Sequence, residues 1–408
     1  MSVVRNIQIQ LDVPSDKHDV IDETFDQFQE AAQYVADTGW NDDPTRITTN
    51  KTDLHHATYD DVRDQTDLHA DHVTAARNLA ADALSSTKDG LFQQGEKASK
   101  PTFRGTVVVY GPKAVTYHDE YCTLSTVDGR IRADYVVPDD TTATPFEEYW
   151  ENDEWNEKQA TLHKRDGDYY LHVAMEKPEQ DTSTTENGAV LGVDLNVDGY
   201  LAVTSTGRFL GNADFLNHKR DEYEERRGAL QECGTRSAHL TIKSIGNRFS
   251  EWSSDYLHRV SKAVVEEARR HDCVGIALED LDGIRDRIAN ASKFQQWAFN
   301  ELQRYIEYKA EEYGIVVEYV NPAYTSQRCS HGECGHVDED NRDGDAFECL
   351  QCGKSLHADY NAARNIAWRV VQHWHKSGDG RANSQVALKS GRLDMMSGFT
   401  PESSLTSP

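Results

Sequence analysis

Four of the seven cysteines in this 408-residue chain are crowded into one short stretch. They are Cys329, Cys334, Cys349 and Cys352. Two such pairs, each on a tight turn, can place four thiolates around one Zn²⁺ ion in a tetrahedral site with no open position. Gly335 and Gly353 directly follow a cysteine, where tight turns commonly need positive φ. The spacing therefore predicts a zinc ribbon over residues 329–352, held by one structural zinc ion.

The cysteine pattern leaves open whether a histidine replaces one of the sulfur ligands, and it also indicates the redox state of the compartment. His331 lies inside the first, wider cysteine pair and is an alternative to one of the sulfurs. Clustered cysteines favour a metal site in a reducing compartment over a disulfide scaffold. We expect Cys122, Cys233 and Cys273, which are scattered, to be ordinary core residues. Because no export signal and no long apolar run occur, we expect a cytoplasmic protein without a membrane partner.

The charge balance is strongly acidic, with 70 Asp and Glu against 43 Lys and Arg. Phosphate binding needs Lys and Arg, so this sign argues at first against a nucleic-acid partner. The excess is uneven, since residues 1–90 hold 18 acidic and 7 basic side chains whereas 201–310 hold 17 of each. Two interpretations stay open: an acidic enzyme without a polyanionic partner, and a protein of a very salty cytoplasm, which we favour. In the second, the middle of the chain can still line a groove for nucleic acid.

The first half of the chain has a β-rich pattern interrupted by helical periodicity. Residues 1–15 contain an alternating strand, and 95–181 contain short β-rich runs separated by Gly or Asp turns. These would form one barrel-like domain, into which the helical residues 16–94 are inserted. A polar stretch at 182–188 predicts a linker to the second half.

The second half has the element order of an RNase H-like fold: three strands, a helical region, a strand, a helix, a strand and a helix. The strands are predicted at 189–195, 200–204, 208–210, 273–278 and 315–320, and the helices within 213–271, 296–313 and 359–374. The chain is thus an α/β, or multidomain α+β, protein. Its RNase H-like domain would span 189–328 and 353–375 around the zinc ribbon. Residues 376–408 are polar and expected to be disordered.

Three carboxylates stand at particular points in this order. Asp194 lies in an apolar strand, where a charge is costly unless it is paired or binds a cation. Glu279 follows the end of a later strand, and Asp359 opens the last helix. In an RNase H-like topology the three converge, and two Mg²⁺ or Mn²⁺ ions would relieve their repulsion. Taken singly, a solvated turn explains Glu279 and a helix cap explains Asp359; together they favour a metal site.

The motifs around these residues resemble the TnpB/OrfB family of insertion-sequence-encoded, RuvC-like nucleases, in its haloarchaeal form, related to type V CRISPR effectors. The motifs are Gly192-Val193-Asp194-Leu195, Ala277-Leu278-Glu279-Asp280-Leu281, Tyr324-Thr325-Ser326-Gln327 and Ala358-Asp359-Tyr360-Asn361-Ala362-Ala363-Arg364-Asn365. They cover about 190–370, and the β-rich and helical regions upstream resemble the family's wedge and recognition domains. The widened first cysteine pair and Asn196, where many relatives have Gly, depart from the family's pattern.

The resemblance implies a transposon-associated, RNA-guided DNA endonuclease with a RuvC-type mechanism. Asp194, Glu279 and Asp359 would be catalytic and bind Mg²⁺ or Mn²⁺, while the four cysteines would bind zinc. The implied partners are a DNA target, a guide RNA from the transposon end and a separate tyrosine transposase of the same element. Two alternatives from other classes are a DNA-binding accessory or regulator of transposition that does not cut, and a transposase that joins strands.

Overall fold

A computed structural model describes most of the chain, which divides into two compact units, residues 1–178 and 179–408. The described residues are 2–94, 99–141, 144–178, 188–281, 293–332, 334–377, 382–385, 391–394 and 398–401. Over these ranges, none of the helices combines the length and the apolar character that crossing a membrane requires. Most of the predicted linker, 182–187, lies outside the described residues, and Gly188 already belongs to a strand.

The first unit is built on a seven-stranded antiparallel sheet. Its strands are β1 (Ser2–Asp12), β2 (Val107–Tyr110), β3 (Val115–Tyr117), β4 (Tyr121–Thr126), β5 (Gly129–Val136), β6 (Asn156–Arg165) and β7 (Asp168–Pro178). Their order is β2-β6-β7-β1-β5-β4-β3, so the first strand lies at the centre. The Tyr117 hydroxyl in edge strand β3 donates a hydrogen bond to the Lys158 carbonyl of β6 at 2.9 Å. The sheet therefore curls almost into a barrel.

Three helices connect β1 to β2 in this unit. They are α1 (His18–Gly39), α2 (Lys51–Gln65) and α3 (Ala70–Gln94). The alternating apolar residues of β1 point to the same core as the apolar stripe of α1, where Phe25 and Phe28 are buried. α2 lies within the predicted helical residues 16–94 but has no clear apolar stripe of its own, because it buries only Leu54, Thr58 and Val62.

The second unit contains a mixed sheet with two antiparallel and two parallel pairings between its five main strands. These strands are β8 (Gly188–Leu195), β9 (Ala202–Thr204), β10 (Phe209–Leu210), β11 (Cys273–Glu279) and β12 (Val316–Val320). The order is β10-β9-β8-β11-β12, in which β8 pairs antiparallel with β9 and parallel with β11. Three antiparallel strands continued by two parallel ones form the mixed sheet of the predicted RNase H-like element order.

Among the described residues of this unit, four helices accompany the sheet, and two of the sequence predictions are corrected here. The helices are α4 (Ala213–Cys233), α5 (Arg236–Arg270), α6 (Lys293–Glu311) and α7 (Ala358–Ser377). The predicted helical region 213–271 is broken in two, because Gly234 ends α4 with a φ of 59° and Thr235 caps α5. Cys233, expected in the core, is exposed. The reason is that α4 buries only Ala213 and Leu216, in its first turn, so its far end has no core to join.

The segment between β12 and α7 and the C-terminal tail contain further short strands. They are β13 (Arg342–Asp343), β14 (Ala346–Glu348), β15 (Ser355–His357), β16 (Ala382–Gln385), β17 (Gly391–Asp394) and β18 (Gly398–Pro401). The tail strands differ from the expected disorder of 376–408. β9 pairs only with the second half of β8, and β16 pairs in parallel with the first half. A free strand edge recruits a partner through backbone hydrogen bonds alone, so a polar segment suffices.

Two glycines allow α7 to lie directly on the sheet. A Cβ atom added to Gly192 in β8 would stand 2.0 Å from the Ala363 carbonyl oxygen and 2.7 Å from the Ala367 nitrogen. A Cβ atom on Gly275 in β11 would stand 2.5 Å from the ring of Trp374. The helix backbone thus approaches the strands more closely than any larger residue would permit, and this brings its first turn near the second half of β8.

Candidate metal centres

Asp194 is a buried carboxylate in the central strand of the second unit. It is 6% exposed, and its backbone pairs with Val203 of β9. Burial raises the pKa of Asp194 well above its ordinary value, and the negative charges of Glu279 and Asp359 raise it further. Both of these carboxylates therefore lie within electrostatic reach of Asp194.

Glu279 is the last residue of β11, next to Val320 of β12. The hydroxyl of Thr325 donates a hydrogen bond to its Oε1 atom. The Gln303 side chain of α6 donates to the Glu279 backbone carbonyl at 2.8 Å. Strand pairing and these two contacts hold both the backbone and the side chain of Glu279.

Asp359 lies in the first turn of α7 and is 7% exposed. Burial raises its pKa, and the nearby charges of Arg342 and His357 oppose that rise. Arg342 Nη2 lies 3.2 Å from Asp359 Oδ1. Arg342 belongs to β13, in the segment that carries the cysteines, so an ion pair joins that segment to the third carboxylate.

These three residues, here called the carboxylate cluster, come from two parallel strands and a helix. Over the described ranges, the only group of three or more His, Cys, Asp or Glu residues whose ligand atoms all lie within 4.8 Å of one another is the set of four cysteines. The carboxylates are therefore more widely spaced. Like charges repel at short range, and each of Glu279 and Asp359 is drawn to its own hydrogen-bonding or cationic neighbour. Oxygen ligands of this kind suit Mg²⁺ or Mn²⁺.

The cysteine cluster, Cys329, Cys334, Cys349 and Cys352, is compact. The Sγ atoms of Cys329 and Cys352 lie 3.7 Å apart, and those of Cys334 and Cys349 lie 3.6 Å apart. Four sulfurs at a Zn–S distance of about 2.3 Å in a tetrahedron would be separated by about 3.8 Å. The cluster can therefore hold one zinc ion. His331 is not one of the four, and both predicted glycines have positive φ, 60° at Gly335 and 71° at Gly353.

The thiols of this cluster differ in acidity. Burial raises the pKa of Cys329 to about 12. Burial also opposes ionisation of Cys349, but hydrogen bonds from the backbone N–H groups of Cys352 and Gln351 bring its pKa to about 7. Backbone donors aimed at a sulfur stabilise a thiolate, which is the form that binds metal.

Two buried asparagines of α7 connect the helix to the chain entering the cysteine cluster. Asn361 Nδ2 donates to the Arg328 carbonyl at 2.8 Å, and Asn365 Nδ2 donates to the same carbonyl at 2.6 Å. Asn365 also donates to the Thr325 carbonyl at 2.8 Å. Sequence reasoning gave these two residues no role of their own. A signal was present, because Asn361 and Asn365 are four residues apart on one helix face and follow Asp359 in the same motif.

A groove between α4 and α5 combines cations with aromatic rings. Its volume is about 470 Å³, and it is lined by Lys219, Glu222, Tyr223, Arg226, Ile245, Arg248, Phe249 and Trp252. The rings of Tyr223 and Phe249 are stacked with centroids 4.9 Å apart. Residues 236–250 contain three basic side chains and no acidic one, in a chain of net charge -27. The groove thus has the chemistry of a phosphate and base contact surface.

Comparison with known proteins relates the chain to one group. A family model described as Cas12f1-like, TNB domain matches residues 299–366. The chain is 36% identical over 219 residues to the CRISPR-associated endodeoxyribonuclease Cas12f1 of Sulfoacidibacillus thermotolerans, covering 50% of each. It is 27% identical over 258 residues to a TnpB-like protein of Aquifex aeolicus, covering 57% of this chain and 83% of that one.

A solved structure has the same fold. The cryo-EM structure of a Cas12f1–sgRNA–target DNA complex matches with a TM-score of 0.56 and 13% identity, covering 90% of this chain and 99% of that one. The chain spans about half the length of the Cas12f1 relative matched by sequence. The fold shared with that structure is a mixed α/β fold. By sequence the chain is also similar to a TnpB-like protein, in agreement with the resemblance of its motifs.

Proposed function

We propose that this protein is a transposon-associated, RNA-guided DNA endonuclease that cuts phosphodiester bonds with divalent cations. The observation that carries the proposal is Asp194, a buried carboxylate repelled by Glu279 and Asp359. Such an arrangement is unfavourable in a protein without bound cations, and it is common where function requires them. The names of the similar proteins, an endodeoxyribonuclease and a complex with guide RNA and target DNA, support the same activity.

In this proposal Asp194, Glu279 and Asp359 hold two Mg²⁺ or Mn²⁺ ions. Bound there, the ions supply an activated water and stabilise the leaving oxygen. The chain itself contributes rigid positions, since Asp194 and Glu279 belong to paired strands. Arg342 partly neutralises Asp359 and has further N–H groups with which to contact a phosphate oxygen.

The cysteine cluster takes one structural zinc ion in this proposal. Sulfur separations of 3.6 and 3.7 Å agree with a tetrahedral Zn–S₄ site. Four protein ligands leave no open position, so the ion contributes folding free energy to the ribbon 329–352 and no chemistry. Reduced thiols fit the cytoplasm, where we propose that the protein works.

The nucleic-acid partners in this proposal are a guide RNA from the transposon end and a DNA target. The groove between α4 and α5 supports such contacts, because Arg226 and Arg248 flank stacked aromatic rings. A separate tyrosine transposase of the same element stays a prediction from the resemblance. Arg285 and Arg287, two further basic residues of the sequence, lie outside the described residues.

The test begins with sequencing the RNA that co-purifies with the protein at high salt. A plasmid library with a target matching that RNA and randomised flanks is then incubated with the complex and Mg²⁺. We expect cleavage of both strands, and Asp194→Asn should reduce its rate on the order of 10³-fold or more. Asp255→Asn, which alters an exposed α5 carboxylate paired with Arg259, is the matched control and should cut normally.

Other outcomes would favour the other classes. If the wild type and Asp194→Asn bind DNA equally and neither cuts, the protein is a DNA-binding accessory or regulator. Products joined to transposon ends would indicate strand transfer.

A further inference from the structure

Thr325 is a buried residue whose hydroxyl contacts the side chain of Glu279. It is 3% exposed, and its hydroxyl lies within hydrogen-bond distance of Glu279 Oε1 and, at 2.8 Å, of the Pro322 carbonyl. A hydroxyl has one proton to donate, and a charged carboxylate is the stronger acceptor. The hydroxyl therefore fixes the orientation of the Glu279 carboxylate through one of its oxygens.

The backbone of Thr325 is itself held by α7. Asn365, 1% exposed, donates to the Thr325 carbonyl at 2.8 Å and to the Arg328 carbonyl at 2.6 Å. Arg328 in turn donates from Nη1 to Asn365 Oδ1 at 2.9 Å. Its guanidinium carbon lies 3.9 Å from the centre of the Trp368 ring, also on α7. Every polar atom of the Asn365 side chain thus serves to hold residues 325–328.

The same segment continues directly into the cysteine cluster. Asn361, fully buried, donates to the Arg328 carbonyl at 2.8 Å and accepts from the Ser330 backbone N–H at 3.0 Å. Cys329 stands between these two contacts. One stretch of six residues, 325–330, therefore carries both the hydroxyl on Glu279 and the first cysteine of the cluster.

From these contacts we infer that Thr325 is a positioning residue for Glu279. Because Asn361 and Asn365 hold residues 325–330 together, the position of Thr325 depends on the order of the segment that enters the cysteine cluster. The inference rests on the proposed function, in which Glu279 binds divalent cations. Partners that orient a metal ligand typically contribute about 10–100-fold to metal affinity or activity. A glutamate side chain can adopt several rotamers, so a fixed hydrogen bond is what selects one orientation of its carboxylate.

A purely structural role of Thr325 gives a different expectation. The hydroxyl contact to Pro322 would then matter only for the turn after β12, and cation binding would not change while the fold is intact. Two substitutions separate these roles, because Thr325→Val keeps the shape and loses the hydroxyl whereas Thr325→Ser keeps the hydroxyl.

The experiment titrates the zinc-loaded full chain with Mn²⁺ and measures free Mn²⁺ by electron paramagnetic resonance. We expect Thr325→Val to bind Mn²⁺ at the carboxylate cluster about tenfold more weakly, and Thr325→Ser to remain within about threefold of the wild type. Asn365→Ala should weaken binding in the same direction. Thr58→Val is the matched control, since Thr58 is a buried threonine of the first unit whose hydroxyl donates to the Leu54 carbonyl.

Zinc content and cleavage are measured on the same samples. Unchanged zinc in Thr325→Val shows that the cysteine cluster is intact, so that weaker Mn²⁺ binding reports on Glu279. If Thr325→Val binds Mn²⁺ and cuts DNA like the wild type, or if Thr325→Ser is as impaired as Thr325→Val, the inference is wrong while the proposed function stands. If Mn²⁺ binding to the wild type does not change on Asp194→Asn, the proposed function fails, and the inference with it.

Discussion

The two ligand clusters of the second unit are assembled in opposite ways. The cysteine cluster comes from one stretch of 24 residues, and its sulfurs already lie within 4.8 Å of one another. The carboxylate cluster comes from β8, β11 and α7, elements separated by up to 165 residues of chain between Asp194 and Asp359. Its members influence one another's charge but stay further apart.

This difference follows from the chemistry of the ligands. Thiols are neutral when protonated, so four of them can pack around a small space before any ion binds. Carboxylates at neutral pH repel one another and recruit other partners, here Thr325 and Arg342. Local spacing therefore determines the first cluster, and the topology of the sheet with its helix determines the second.

Loss of a cysteine should have the largest effect. We expect Cys349→Ser to abolish stoichiometric zinc binding and to make residues 328–357 sensitive to protease, because structural zinc contributes on the order of 10 kcal/mol to small modules of this kind. Zinc content by mass spectrometry and limited proteolysis measure this. Cys233→Ser is the matched control, since Cys233 is exposed at the end of α4 and should leave both measurements unchanged.

A smaller effect on stability is expected from a substitution where α7 packs against β8. Gly192→Ala places a methyl group 2.0 Å from the Ala363 carbonyl, so α7 must move away from β8. The expected loss is about 3 kcal/mol of unfolding free energy, in the range of overpacked cores. Thermal unfolding with bound zinc measures it. Since Asp359 moves with α7 while the cysteine spacing does not, Mn²⁺ binding should weaken and zinc content should stay at one.

The control for this substitution is Gly228→Ala. Gly228 lies within α4, and no heavy atom lies within 4 Å of a Cβ added there. Alanine in a helix is favoured over glycine by about 1 kcal/mol, so this variant should be slightly more stable. Equal stability of the two variants would contradict the close approach of α7 to β8.

The sequence predicts most of the framework that holds these clusters. Apolar periodicity locates the strands of the mixed sheet, and Asp194 is recognisable because an aspartate rarely lies inside a buried strand. The cysteine spacing is a local pattern, so the zinc site can be recognised from the sequence without knowledge of the fold. The position of Cys233 is not predictable in this way, since its exposure depends on how far α4 extends beyond the sheet.

The side chains that contact the carboxylates could not be predicted from the sequence either. Arg342 and Thr325 stand 17 and 46 residues from the acids that they contact. No periodicity links residues at such distances, and arginine and threonine are ordinary in loops. These contacts form because β11 pairs with β12, and because the chain that follows β12 leads back to the sheet at α7. The same limit applies to β16, whose polar residues carry no strand pattern and which pairs through its backbone.

The smallest expected effect is on stability without divalent cations. Asp194→Asn removes a buried charge whose pKa is raised by burial and by two neighbouring acids. In zinc-loaded protein freed of Mg²⁺ and Mn²⁺, the variant should therefore be more stable than the wild type at neutral pH. Thermal unfolding of the two proteins without divalent cations measures this gain. Asp255→Asn, on an exposed site, should change stability by less than about 0.5 kcal/mol.

The sign of the pH dependence identifies the cause of this gain. The folded pKa of Asp194 lies above its ordinary value of 3.8, so the folded wild type binds more protons than the unfolded chain between these two values. Wild-type stability should fall as pH rises through that window, whereas the amide of Asp194→Asn does not titrate and contributes no such slope. The advantage of the variant should thus vanish near pH 3.8 and be complete above the raised pKa.

Added Mg²⁺ should reverse the advantage at neutral pH, because only the wild type gains a bound cation. If Asp194→Asn remained more stable than the wild type by the same amount with Mg²⁺, Asp194 would not bind cations. The carboxylate cluster would then not be a metal centre.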